Sequence, residues 1–213
     1  MAATASVKCP DWEYTQDPRY NDRTMESLCK QALMVNRMGR TPDDLFAVCC
    51  DTREFHKNIF QELTPVGFPQ YAGTYRGTNL PCIDTYEVGI AGDPRVGHRA
   101  IKVAASITAF INTLDQAVKS LDTLKAIDSP QVFLFKVART VAFALVTFLE
   151  IHPYINGNGH AGRFMLNFFL GRYGMWPKQF PIHKRPFEHY SSLIVQFRSG
   201  NEMPLIKFIL SCL

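Results

Sequence analysis

The residues best equipped for chemistry lie in one stretch, His152-Pro153-Tyr154-Ile155-Asn156-Gly157-Asn158-Gly159-His160-Ala161-Gly162-Arg163. Two histidines, two asparagines and an arginine stand there among three glycines, with apolar runs on both sides, Val132 to Ile151 and Phe164 to Leu170. Buried cores seldom concentrate polar groups in this way, because each needs a hydrogen-bond partner once it leaves water. Asn156-Gly157-Asn158-Gly159 is a turn sequence whose glycines take positive φ at little cost. The apolar run that follows makes Asn158 the expected N-cap of a helix, with free backbone N–H groups aimed at the turn. Such a helix start favours an anion, and phosphate is the usual guest. His160 and Arg163, three residues apart, fall on one face of that helix.

Two helices must hold this turn. Ser129-Pro130 starts the incoming one with a capping residue and proline at the first position, and Pro153 helps to stop it. Its stripe Phe133, Val137, Val141, Leu145 and Phe148 reads as core. The outgoing helix continues to Arg172, with Gly174 closing it. Upstream, residues 1–20 read as an irregular arm that packs its aromatics on the body. Helices are expected from Asn21 to Gly39, from Thr41 to about Leu63 and from Ala100 to about Lys125, and two more close the chain, Phe187 to Arg198 and Met203 to Cys212. Gly92-Asp93-Pro94 and Val96-Gly97 are turn signals. Tyr71 to Pro81, rich in Tyr, Thr and Gly, suggests a short hairpin or extended flap. The fold class is mainly α, a single domain with one small β flap.

Composition narrows the partners. With 46% hydrophobic and 20% charged residues the chain is ordinary for a globular domain. A net charge of +4, scattered along the chain, gives no footprint for nucleic acid. The most apolar segment, Val132 to Ile151, carries Lys136, Arg139 and Glu150 and reads as a buried helix, so no membrane span is expected. Six cysteines without a C-x-x-C pair give no sign of a disulfide framework, and a reducing, cytoplasmic setting is the default. His152, Asn156 and His160 are spaced by four, as metal ligands on a helix can be, but the glycine turn removes the helix that would align them. Arg163 has a plain alternative as the partner of Glu150, and Arg76 as a solvated hairpin charge.

The central stretch resembles the signature of the Fic family, H-P-F-x-[D/E]-G-N-G-R-x-x-R, and Ala72-Gly73-Thr74-Tyr75-Arg76 looks like the A-G-x-Y-R stretch that opens that family's flap. With Gly171 to Met203 the likeness covers roughly residues 45–210, which places a Fic-like helical domain at 41–213 behind an arm and helix at 1–40. The resemblance implies a helical fold with a β-hairpin flap before the central helices. It also implies transfer of AMP from ATP to a protein hydroxyl, some relatives using other phosphate-bearing donors. On that reading His152 is the general base, a role suited to a ring whose ordinary pKa lies near 6.5. Gly157, Asn158 and Gly159 cradle the donor phosphates, and Arg163 grips one of them. Thr74, Tyr75, Arg76 and Thr78 dock the target by strand addition. The position that holds the Mg²⁺ ligand is Asn156, whose amide brings no charge to the ion. His160 replaces the first arginine of the signature and is the remaining nucleotide contact. The resemblance thus points to AMP transfer from ATP, and these two departures point away from it, to another phosphate-bearing donor or to a catalytically weak nucleotide-binding or interaction module. The family's autoinhibitory motif, [S/T]-x-x-x-E-[G/N], is absent, so any restraint is expected from a separate inhibitor protein.

Overall fold

The computed structural model describes residues 9–90 and 93–213. The first eight residues of the arm and Ala91-Gly92, at the start of one turn signal, lie outside the described residues. The described chain holds eight α-helices: α1 Asp22–Arg37, α2 Pro42–Cys50, α3 Arg53–Phe60, α4 Ala100–Leu124, α5 Pro130–Ile151, α6 Asn158–Arg172, α7 Tyr190–Arg198 and α8 Met203–Ser211. Their starts follow local chemistry. Asn21 accepts the N–H groups of Arg23 and Thr24, Thr41 and Asp44 close a reciprocal capping box, and Ser129 accepts from Val132 ahead of Pro130.

Helix α5 is the axis of the domain. By length and composition it is apolar enough to cross a bilayer, and here Val137, Ala138, Val141 and Leu145 bury it among α4, α6 and α8. Helix α6 is buried along almost its whole length. Gly162 lets it approach α5, since a Cβ there would stand 3.0 Å from the Leu145 side chain. At its far end Arg172 reaches Asp43 at 2.8 Å and Asp122 at 2.6 Å, placing a cation on the negative end of the helix. The arm shares the same core: Trp12 is buried, donates to the Leu63 carbonyl at 2.8 Å and packs edge-on against His56 and Phe60.

Three expectations need correction. The helix from Thr41 to Leu63 is broken at Asp51-Thr52, because the Thr52 hydroxyl is drawn inward to the Tyr154 hydroxyl at 2.9 Å and α3 turns towards the central stretch. The hairpin at 71–81 does not form. The Arg76 N–H goes to the Pro153 carbonyl and the Gly77 N–H to the Ile83 carbonyl, so the segment bonds to the central loop and to its own turn instead of pairing as strands. An isolated bridge between Ile90 and Asp93 is the only β pairing among the described residues. Finally, Cys9 is bonded to Cys82, 73 residues away, which ties the arm to the flap segment. Such bonds persist in oxidising surroundings, so the cysteine count no longer supports a reducing setting.

Gly77 shows how tightly the flap segment sits. Its φ is +79° and a Cβ would lie 1.9 Å from the Ala100 carbonyl oxygen at the start of α4. Gly77→Ala is therefore expected to lower unfolding free energy by about 2 kcal/mol or more in urea denaturation. A change within about 0.5 kcal/mol would show that the segment is free to move away.

Candidate active site

The site is built on the end of α5. His152 caps that helix in the left-handed region, with φ 54° and ψ 61°. Its Nδ1 lies 3.0 Å from the Leu149 carbonyl oxygen. A carbonyl only accepts, so Nδ1 carries the proton and Nε2 holds the lone pair. Burial pushes the ring's pKa below its ordinary value, partly opposed by that hydrogen bond, and Arg76 and Arg198 lower it further. The ring is half-buried and faces two adjoining cavities, so the neutral base form opens onto ligand-accessible space.

Arg76 makes this strained helix end possible. Its side chain is fully buried, donating to the carbonyls of His152 at 2.9 Å, Tyr86 at 2.9 Å, His98 at 2.8 Å and Ile151 at 3.3 Å. The Gly97 and His98 N–H groups take the carbonyls of Glu150 and Ile151. The final carbonyls of α5, which no later turn can satisfy, are thus met one by one, with a cation at the helix's negative end. Burial lowers the Arg76 pKa to about 10, and Glu87, 3.8 Å away, opposes the shift. Arg76 is therefore a positioning residue and cannot dock a target, contrary to expectation. Tyr75 leans on Tyr154 with ring centres 5.1 Å apart, Thr74 is half-buried, and Thr78 is exposed with its hydroxyl on the Tyr75 carbonyl.

The turn that follows is held from within. Asn158 is the first helical residue and Gly157, at φ 76°, is the cap, so the expected capping residue is displaced by one position. The Asn158 amide instead closes the loop, accepting the Tyr154 N–H and donating to the Tyr154 carbonyl, each at 2.9 Å. Asn156 is engaged at both ends. Its oxygen accepts the Gly157 N–H at 2.7 Å and its amide donates to the Trp12 carbonyl at 2.9 Å. The cradle is consequently narrower than expected: Gly157 and His160 spend their N–H groups internally, and those of Asn158 and Gly159 remain to face a ligand.

Sequence reasoning missed His56. Its Nδ1 accepts the Gly73 N–H at 2.9 Å, its Nε2 donates to the Asn156 carbonyl at 2.8 Å, and its ring stacks on Tyr154. It also missed the loop after α6. His160 is buried, and its Nε2 donates to the His183 carbonyl at 2.8 Å. Arg163, 4% exposed, donates through Nε and Nη2 to the Ile182 carbonyl at 2.9 and 2.8 Å. Its Nη1 makes no hydrogen bond among the described residues and sits 3.0 Å from where a Gly159 Cβ would be. The two residues anchor the loop that carries Lys184 and Arg185, whose only sequence signal is a short basic run between Pro181 and Pro186.

The turn, His152, His160, Arg163, Lys184, Arg185, Tyr14 and Tyr20 border a polar cavity of about 330 Å³. A larger one of about 550 Å³ adjoins it at His152, Gly159, Arg163 and Arg185, and is walled mainly by Leu149, Tyr190, Ile194 and Val195. Magnesium, which the family resemblance implies, does not suit this donor set. Among the described residues no carboxylate borders the polar cavity, Asn156 is committed to the framework, and no cluster of His, Cys, Asp or Glu forms a metal set.

A helical scaffold thus brings a neutral histidine and two backbone amides without internal partners to one cavity. A model of the Fic/DOC family matches residues 50–170, more than half of the chain, and the chain belongs to that family. It is similar to the protein adenylyltransferase Fic of Aedes aegypti, with 31% identity over 86 residues, 40% of this chain and 17% of that protein. Those of Culex quinquefasciatus and Drosophila persimilis match at 30% over 86 residues and 33% over 72, covering 17% and 14% of their lengths. The matched stretch thus spans under a fifth of these relatives. A Fic domain containing signaling protein from Bacteroides thetaiotaomicron has a similar fold, with a TM-score of 0.53 at 17% identity over 90% of this chain and 65% of that one.

Two measurements test the framework. Arg76→Ala leaves several buried carbonyls without donors and is expected to cost about 3 kcal/mol or more in urea denaturation, with Arg76→Lys recovering part of the loss; a loss under about 1 kcal/mol would contradict the assignment. Burial holds His56 and His160 down to about 3. Both folded pKa values lie below an unfolded value near 6.5, so this stabilisation is complete above that pH and is lost as pH falls towards 3. The urea midpoint should drop between about pH 7 and pH 4, and His160→Gln, which keeps a donor but does not titrate, should flatten part of that drop. An unchanged slope in the variant would mean that His160 titrates alike in the folded and unfolded chain, so that burial does not hold its ring neutral.

Proposed function

We propose that this protein is a Fic-type transferase of phosphorus-containing groups, moving AMP from ATP to a hydroxyl of a target protein. The reading rests first on His152, whose Nε2 lone pair opens onto a cavity that also receives the free N–H groups of Asn158 and Gly159. The target oxygen attacks the α-phosphorus, a new O–P bond forms, pyrophosphate leaves, and the hydroxyl proton passes to His152 Nε2. The donor's negative charge rests against the start of α6 and Arg163. The larger, mainly apolar cavity accommodates the nucleoside. The names of the relatives, protein adenylyltransferases, support the choice of AMP.

A second reading, a nucleotide-binding module without turnover, is favoured by one observation. The Asn156 and His160 side chains serve the framework and leave no group at those positions to act on the phosphates. Labelled ATP and cell lysate separate the two. Transfer of label to protein, falling by about 100-fold to 10,000-fold in His152→Ala while ATP binding stays within a few-fold, is the expected result for the enzyme. Because the pKa of His152 is lowered, the acid limb of kcat/KM should lie below about 6.5. Tight ATP binding with no transfer to any protein would establish the module instead.

A further inference from the structure

Resting on the nucleotide reading above, the structure points to a donor site that works without a divalent cation. We propose that Lys184 and Arg185 supply the positive charge that the donor's phosphates need, and that a nucleoside triphosphate binds here as the free anion. Four observations converge. The polar cavity is bordered by Arg163, Lys184 and Arg185 and, among the described residues, by no carboxylate, and Asp93, the carboxylate on the adjoining larger cavity, is already paired with Arg95 at 3.0 Å and Arg198 at 2.6 Å. Glu26, the acid facing the loop from α1, is held by Lys30 at 2.6 Å and lies 3.9 Å from His183; it feels the charge of Lys184 but forms no ion pair with it. Neither Lys184 nor Arg185 has an ion pair or hydrogen bond among the described residues, and Arg163 Nη1 is likewise unspent in a side chain 4% exposed. The loop itself is fixed: Ile182 and His183 are gripped through their carbonyls by Arg163 and His160, and Pro181 and Pro186 restrict its two ends.

This arrangement gives His160 a purpose. An arginine there would meet a phosphate directly. The neutral ring instead donates to the His183 carbonyl, holding in place the loop that brings two other cations to the cavity. Like charges gathered around an empty space repel one another, and a polyphosphate chain relieves that repulsion at every cation it meets. A metal ion in the same space would add to the repulsion, and Asn156 offers it no charge in return. Lys184 and Arg185 thus neutralise at the rim what magnesium neutralises elsewhere, and Arg185, which also borders the larger cavity, marks where the phosphate chain passes from one space to the other.

ATP binding to the full chain, measured by calorimetry in EDTA and again with excess Mg²⁺, tests the proposal. Affinity should agree within about threefold between the two buffers, and Arg185→Ala and Lys184→Ala should each weaken binding by about tenfold. Arg185→Lys should retain most of the affinity, and Lys125→Ala, on the exposed end of α4, should leave it unchanged. Binding that appears only with Mg²⁺, or tightens about tenfold or more with it, overturns the metal-free site while keeping the nucleotide reading. The metal-free site is equally overturned if Arg185→Ala and Lys184→Ala together leave affinity unchanged. Failure of the folded protein to bind ATP in either buffer overturns both.

Discussion

One buried guanidinium holds the end of α5 in a shape that a helix would not keep by itself. Arg76 gathers the carbonyls of Ile151, His152, Tyr86 and His98, which belong to three different parts of the chain. Without those bonds the left-handed backbone at His152 would have no compensation for its strain, and the His152 carbonyl, unlike those of Glu150 and Ile151, which also receive the Gly97 and His98 N–H groups, would be left without a donor. A charge taken out of water is tolerated there because it meets a helix's negative end and a ring of acceptors. The orientation of the His152 ring follows from the same geometry, since the turn of backbone puts Nδ1 on the Leu149 carbonyl and leaves Nε2 outward.

The loop beyond His152 is organised by short polar side chains that satisfy backbone groups. Asn158 clasps both ends of Tyr154, Asn156 links Gly157 to Trp12, and His56 joins the Asn156 carbonyl to Gly73. These contacts fix the direction of the two amides left for a ligand, and preorganised donors are worth more than ones that must be ordered on binding. His160 and Arg163 extend the same principle outward, passing rigidity from α6 to a loop with no regular structure of its own.

Much of this is legible in the amino-acid order, and the part that is not has a common cause. Helix starts at Asn21, Thr41 and Ser129 depend on neighbours a few residues away, so their caps can be read directly. The same holds for the glycine turn and for the proximity of His152 to Arg163. The absent hairpin, the break at Thr52 and the inward turn of Arg76 depend on partners tens of residues distant, such as Pro153 for the Arg76 N–H and Tyr154 for the Thr52 hydroxyl. Tyr, Thr and Gly between turns look alike whether the backbone pairs with itself or with a remote loop. Lys184 and Arg185 escape notice in the sequence because a basic run usually marks a solvated surface, and only the anchoring of their loop gives them a direction.

The N-terminal arm carries a further implication. Trp12 fastens the turn through Asn156, and Tyr14 and Tyr20 form one side of the polar cavity, yet all three lie ahead of the stretch that matches the family. One wall of the cavity and one anchor of its turn therefore belong to a segment outside the family match. Substitutions at Tyr14 and Tyr20 can reshape that wall without touching the contacts that orient His152.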